Sequence, residues 1–233
     1  MVAIAVQAHR GSPDAARGVR ENTLEAFLRA RELGAAGVEL DVRRTADGAL
    51  AVHHDPVVSG VGPIHELAAG DLPAFVPLLG PALEVCEAMI VNIEIKNLPG
   101  EPGFDPDERV AAEVVELVVA SGRTTSVVIS SFWPATLESV REAHAELPTG
   151  LLVASWFDPA RSVALATDRG CTALHPSVEL VTPALVGEAH DAGLLVAAWT
   201  VDDRPSLEAM ERADVDTVIT DDVRLALATY GSG

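Results

Sequence analysis

The chain has 233 residues, 48% of them hydrophobic and 22% charged, which suits a soluble domain with a substantial core. Its 16 basic residues stand against 35 acidic ones, a formal charge of −19, which disfavours nucleic acid and anionic membranes as partners. The two cysteines, Cys86 and Cys171, each stand alone in an apolar stretch, which excludes a disulfide framework and a thiolate metal site.

In chain order, the opening MVAIAVQAHRG lacks a charged leader and is too short for a signal peptide, so a cytoplasmic protein is expected. From there, short β-branched runs alternate with amphipathic segments. Strands are predicted at residues 2–8, 37–43, 90–96, 126–131, 150–154, 171–175, 194–200 and 215–220. Helices are predicted at 22–33, 81–89, 107–121, 134–146, 159–169, 182–192, 204–213 and 222–229. Pro106, Pro134, Pro159, Pro183 and Pro205 fall near helix starts, and Gly34, Gly122, Gly170 and Gly193 at helix ends.

Eight strands, each eventually followed by a helix, predict an α/β (β/α)₈ TIM barrel as a single domain over 1–233. Because aromatics make up only 4%, Val, Leu, Ile and Ala are expected to fill the layered barrel interior. Residues 44–80 break the rhythm, being too long for a βα loop. They read as a small insertion after strand 2, with a turn at Asp47-Gly48 and then a short strand, roofing the barrel mouth. A doubly wound sheet is the alternative, but no Gly-rich dinucleotide fingerprint follows strand 1.

In such a barrel the functional groups gather where strands end at the C-terminal face. Glu39 and Asp41 lie two residues apart on the buried strand GVELDV, so they share a face, and Glu94 stands on the next barrel strand. Carboxylates converging on a buried face repel unless a cation joins them, which suits one hard divalent ion, Mg²⁺ or Ca²⁺. The alternative is salt bridging to Arg43, Arg44 or Lys96. His9 and His54 are the candidate acid and base, because imidazole titrates near neutrality. His53, beside His54 on the short strand, should face the other way. Arg10 and Lys96 offer positive charge for a phosphate, and Lys96 can also neutralise Glu94, two residues away.

These residues lie in segments that resemble the glycerophosphodiester phosphodiesterase family. The segments are AHRG (8–11), ENTLEAF (21–27), GVELDVRRTADG (37–48), VHHDP (52–56), IEIKN (93–97), ISSF (129–132), AAWTVD (197–202) and VITDD (218–222). The resemblance implies His9 and His54 as the catalytic pair, Glu39, Asp41 and Glu94 as metal ligands, and Arg10 and Lys96 on the phosphate. It implies further that Glu21 and Asn22 orient Arg10 or the metal shell, and that Phe132 and Trp199 line the substrate pocket. His175, at the end of the predicted sixth strand, is expected behind the site. The implied substrate is a small glycerophosphodiester, with no stable membrane association. PVVSGVGPIHEL departs from the family pattern just after the His-Asp motif, which leaves substrate choice open. A phospholipase-type enzyme using LPAFVPLL (72–79) as an apolar rim and a non-catalytic binding module are the competing readings.

Overall fold

The computed structural model describes residues 3–231, so Val2, the first residue of the predicted opening strand, lies outside the described residues. The strands are β1 (Ala5–Ala8), β2 (Gly37–Arg44), β3 (Leu50–Val52), β4 (Val57–Val58), β5 (Gly62–Pro63) and β6 (Ile90–Ile95). They continue as β7 (Val127–Ser131), β8 (Thr149–Val153), β9 (Ala173–Pro176), β10 (Leu195–Ala198) and β11 (Thr217–Thr220). The helices are α1 (Leu24–Leu33), α2 (Leu79–Val85), α3 (Arg109–Ala120), α4 (Pro134–Ala143), α5 (Pro159–Asp168), α6 (Pro183–Asp191), α7 (Arg204–Ala213) and α8 (Val223–Tyr230). Eight parallel strands, β1, β2 and β6 to β11, pair in sequence, and β11 returns to β1 to close a (β/α)₈ barrel.

Local chemistry explains most helix starts. The side chains of Thr23, Asp158, Thr182, Asp203 and Asp222 each accept a backbone N–H from the first turn they precede. Proline occupies the first turn of α4, α5, α6 and α7, where a missing donor costs nothing. Pro106 differs, because it precedes α3 altogether. There the Asp105 carboxylate accepts from the Arg109 backbone and side chain and fixes the turn that leads into the helix. The helix predicted at 81–89 runs instead from Leu79 to Val85, and the one predicted at 134–146 stops at Ala143.

The apolar residues fill a different layer from the one expected. Val38, Leu40 and Val42 of β2, with Val91, Ile93 and Ile95 of β6, belong to the same buried cluster as helix residues such as Phe27, Val114 and Leu137. By strand alternation they face outward, between barrel and helices. The inward positions are mainly polar or small instead, with Leu152 and Ile219 as apolar exceptions. They carry Gln7, Glu39, Asp41, Asn92, Glu94, Ser130 and His175, all buried. The main hydrophobic core is therefore a sleeve around a polar channel.

The insertion begins as a hairpin. β3 pairs antiparallel with the end of β2, Val42 opposite Val52, across a turn at Asp47-Gly48. A second hairpin, β4 with β5, follows, and Ala51, Val58, Ile64 and Val76 form a small core of their own. Within LPAFVPLL, Val76 and Leu79 are buried, and the Arg20 guanidinium lies 4.3 Å from the ring centre of Phe75. Among the described residues no helix is long and apolar enough to cross a membrane.

One interior contact yields a prediction. Gly150 lies against the His175 ring, and a Cβ there would collide with the imidazole. Burial pushes the His175 pKa down from 6.5 to about 4, so the folded protein holds this ring neutral. Above pH 6.5 neither state is protonated and the residue has no linkage effect. As pH falls from 6.5 toward 4, the unfolded chain takes up the proton first, and stability drops by roughly 1.4 kcal/mol per pH unit. Gly150→Ala should cost about 1–3 kcal/mol, and His175→Ala should relieve much of that cost. Denaturant melts from pH 7 to 4 on the single and double variants should also show a shallower acid slope wherever His175 is absent.

Candidate active site

The site is assembled where β1, β2 and β6 end. β2 and β6 are in register with Asp41 opposite Glu94 and Glu39 opposite Asn92, so the three carboxylates meet across one strand boundary. One ligand oxygen from each of Glu39, Asp41 and Glu94 lies within 4.8 Å of the others, and all three residues are buried.

His9 and Arg10 follow β1 on a tight turn. Gly11 has φ +81, and a Cβ there would meet Ala26 Cβ at 2.8 Å, so only glycine lets this turn press against α1. The turn aims the Arg10 backbone N–H at Glu39 Oε2, 2.9 Å away. The Arg10 side chain reaches Glu21 at 3.0 Å and Asp41 at 3.3 Å. Asn22, with φ 53, donates to Asp41 Oδ2 at 2.7 Å and accepts from the Asp41 backbone N–H at 3.2 Å. Glu21 thus touches Arg10, and Asn22 touches Asp41.

Lys96 sits between two carboxylates, its Nζ 3.0 Å from Asp41 Oδ1 and 2.6 Å from Glu94 Oε1. His9 Nδ1 lies 2.8 Å from Asp221 Oδ1, while its Nε2 is turned inward, 3.9 Å from Glu39 Oε2. His54 Nδ1 lies 2.8 Å from Asp55 Oδ1, and Arg43 donates to the His54 carbonyl at 2.7 Å. β3 ends at Val52, so neither His53 nor His54 is on a strand. His53 instead turns its Nδ1 toward the Asp55 carbonyl at 2.9 Å.

His9, Arg10, Glu39, His54, Glu94 and Lys96 line one cavity of about 280 Å³. Asn92 and Ser130 line its floor, and each has a buried side-chain polar atom without a hydrogen-bond partner. Phe132 and Trp199 form part of its wall, packed edge to face with ring centres 5.6 Å apart. His175 is in none of these contacts. Its ring is buried in the barrel interior against Gly150, and only its backbone carbonyl meets the site wall, accepting from Trp199 Nε1 at 2.7 Å. The sequence alone assigns no role to Asp221 or Asp55, although both lie in the matching segments, and does not single out Trp156. Asp221 was the most accessible of these, being the first residue past β11 at the C-terminal end of a barrel strand.

The electrostatics follow from burial and neighbours. Burial, with the Asp41 charge beside it, pushes the Glu39 pKa up to about 8. Burial would raise Asp41 too, but Lys96 and Arg10 override it and bring its pKa down to about 2. Glu94 is raised by burial, against the opposing pull of Lys96. Lys96 resists the lowering effect of burial because Glu94 and Asp41 hold its proton. Burial alone would lower His9, yet its hydrogen bond to Asp221 and the charge of Glu39 leave it raised. His54 is lowered by burial and by the Lys96 charge.

A divalent cation fits this cluster. Glu39 Oε1 is buried without a hydrogen-bond partner, Asp41 Oδ1 and Glu94 Oε1 are met by the Lys96 ammonium, and an all-oxygen donor set suits a hard ion.

The chain matches the family described as the Glycerophosphoryl diester phosphodiesterase family over residues 9–225. It belongs to that family. This phosphodiesterase is 32% identical over 238 residues to a glycerophosphodiester phosphodiesterase of Caldanaerobacter subterraneus subsp. tengcongensis, covering 93% of each chain. The crystal structure of a glycerophosphodiester phosphodiesterase from Thermotoga maritima superposes with a TM-score of 0.79 at 27% identity, covering 97% of each chain. A phosphodiesterase of Oleispira antarctica, solved with its product sn-glycerol-3-phosphate, shares the fold at 23% identity and a TM-score of 0.83, covering 99% of this chain and 98% of that one.

Because a cation would bind only the folded site, Mg²⁺ or Ca²⁺ should raise the melting temperature of the chelator-stripped phosphodiesterase. At a hundredfold excess over Kd the gain is about 2.7 kcal/mol. Glu39→Gln should abolish that rise while raising the melting temperature of the stripped protein, since one of three crowded carboxylates is gone. Differential scanning fluorimetry reads both effects. A metal-induced rise that survives Glu39→Gln contradicts the ligand assignment.

Proposed function

We propose that this phosphodiesterase hydrolyses soluble glycerophosphodiesters in the cytoplasm to an alcohol and sn-glycerol 3-phosphate. It would use a divalent cation, Mg²⁺ or Ca²⁺, at Glu39, Asp41 and Glu94. The observation that carries this reading is the convergence of the carboxylate triad, through Glu39 and Glu94, with two carboxylate-held histidines and two cations on a single cavity. The product bound to the Oleispira phosphodiesterase, a protein of the same fold, supports the substrate class.

A cation bound at the triad supplies positive charge for the phosphate and makes a neighbouring hydroxyl easier to deprotonate. Arg10 and Lys96 hold the phosphate oxygens, Arg10 as a fork and Lys96 as a point charge. One histidine takes the proton from the glycerol hydroxyl beside the phosphate as that oxygen attacks phosphorus. The other protonates the departing alcohol oxygen. The chain's residues then face a cyclic phosphate, and the histidines exchange roles while water opens the ring. Asp221 and Asp55 keep each ring in one orientation and stabilise its protonated form.

Soluble diesters are favoured over lipids because LPAFVPLL offers little free apolar surface: Val76 and Leu79 are buried, and the half-exposed Phe75 ring carries the Arg20 guanidinium. The binding-module reading fares worse, since both histidines and all three carboxylates are present and converge.

His9→Ala and His54→Ala should each lower kcat on glycerophosphocholine by roughly 10²–10⁴-fold. Both should do so without loss of melting temperature. Rapid-quench single turnovers on the wild type should accumulate a cyclic glycerol phosphate. Its absence at every time point would favour direct attack by water instead.

A further inference from the structure

The cavity wall carries a feature that phosphodiester cleavage does not require. Trp156 is 69% exposed, an unusual position for so large an apolar ring. It stands against Phe132 with ring centres 5.5 Å apart, and Phe132 meets Trp199 nearly at right angles. All three line the same cavity, in a chain with only nine aromatic residues (three Trp, one Tyr and five Phe). The charges around this wall are sorted by depth. Arg10, Lys96 and Arg43 are sunk and paired, whereas the Arg10 partner Glu21 and the histidine-bound Asp55 and Asp221 are largely solvent-exposed. A molecule entering the mouth meets aromatic faces and carboxylates first, and the cations only below.

We propose that Trp156, with Phe132 and Trp199, forms a subsite for a quaternary ammonium headgroup, so that choline-type diesters are preferred. The proposal rests on the phosphodiesterase reading above and names the headgroup class for that same site. The phosphate is drawn to the buried cations, and the polar floor at Asn92 and Ser130 offers hydrogen bonds to the glycerol hydroxyls. That arrangement leaves the leaving alcohol at the mouth. A trimethylammonium group has no N–H to give the carboxylates, so its recognition falls on ring faces, which attract a cation through their quadrupole. The exposed acidic groups add a long-range pull on any cationic substrate and repel carboxylate-bearing headgroups.

The test compares choline with its neutral carbon isostere, 3,3-dimethylbutan-1-ol, which has the same shape and no charge. In the wild type, kcat/KM for glycerophosphocholine should exceed that for the isosteric diester by about tenfold. Trp156→Ala should shrink the ratio to about threefold or less, and Trp156→Phe, which keeps a π face, should fall between. A ratio near one in the wild type overturns the proposal, and so does a ratio that Trp156→Ala leaves unaltered. Titration with free choline and with the free isostere, followed by indole fluorescence, reads the subsite without turnover. Tighter binding of choline supports the subsite even if neither diester is cleaved, in which case the phosphodiester reading alone fails. Equal binding of the two overturns the subsite.

Discussion

Three buried carboxylates within one ligand sphere set the terms for everything around them. Glu39, Asp41 and Glu94 would repel one another strongly in so dry a place, and the surrounding structure is arranged to answer that repulsion. Lys96 bridges two of them, Arg10 approaches the third member of the pattern through its backbone and Asp41 through its side chain, and Asn22 clasps Asp41. The tight turn at Gly11 and the left-handed backbone at Arg10 and Asn22 serve that arrangement. Even so, Glu39 Oε1 keeps no hydrogen-bond partner, and burial beside the Asp41 charge pushes the Glu39 pKa up to about 8. A divalent cation held there would offset what the protein's own groups leave uncompensated.

The barrel makes this possible by placing its hydrophobic burial elsewhere. Apolar residues point outward into the sleeve between strands and helices, where dispersion and the hydrophobic effect stabilise the fold. The inside is then free to carry Gln7, Asn92, Ser130 and the carboxylates, groups whose desolvation costs stability. Stability and chemistry are therefore assigned to opposite faces of the same strands. The two-residue period of a strand is what separates them.

That period is also why so much was legible in advance. Glu39 and Asp41 could be assigned to one face from spacing alone, and strand ends pointed to His9, Glu94 and Lys96. The alternation of strands and helices pointed to the closed barrel. What could not be read depends on closure. Asp221 meets His9 across 212 residues of sequence, a contact that exists only once β11 has paired with β1. Trp156 lies past the end of β8, and nothing in its local sequence says that it stands against Phe132. Composition likewise shows how much Val, Leu and Ile there is but not which face they take, so the barrel interior, expected to be apolar, is mainly polar, with Leu152 and Ile219 as exceptions. His175 had the right position for a site residue, yet it lies in the interior, where burial keeps it neutral.

Filling the Glu39, Asp41 and Glu94 cluster with a divalent ion should convert this barrel into a working phosphodiesterase. The most direct measurement is a titration of chelator-stripped protein with Mg²⁺ or Ca²⁺, following both bound metal and release of glycerol 3-phosphate from glycerophosphocholine. Activity should rise in proportion to occupancy and level off at one ion per chain, and Asp41→Asn should abolish the rise. Full turnover by the stripped protein, or activity that does not follow occupancy, would contradict the account.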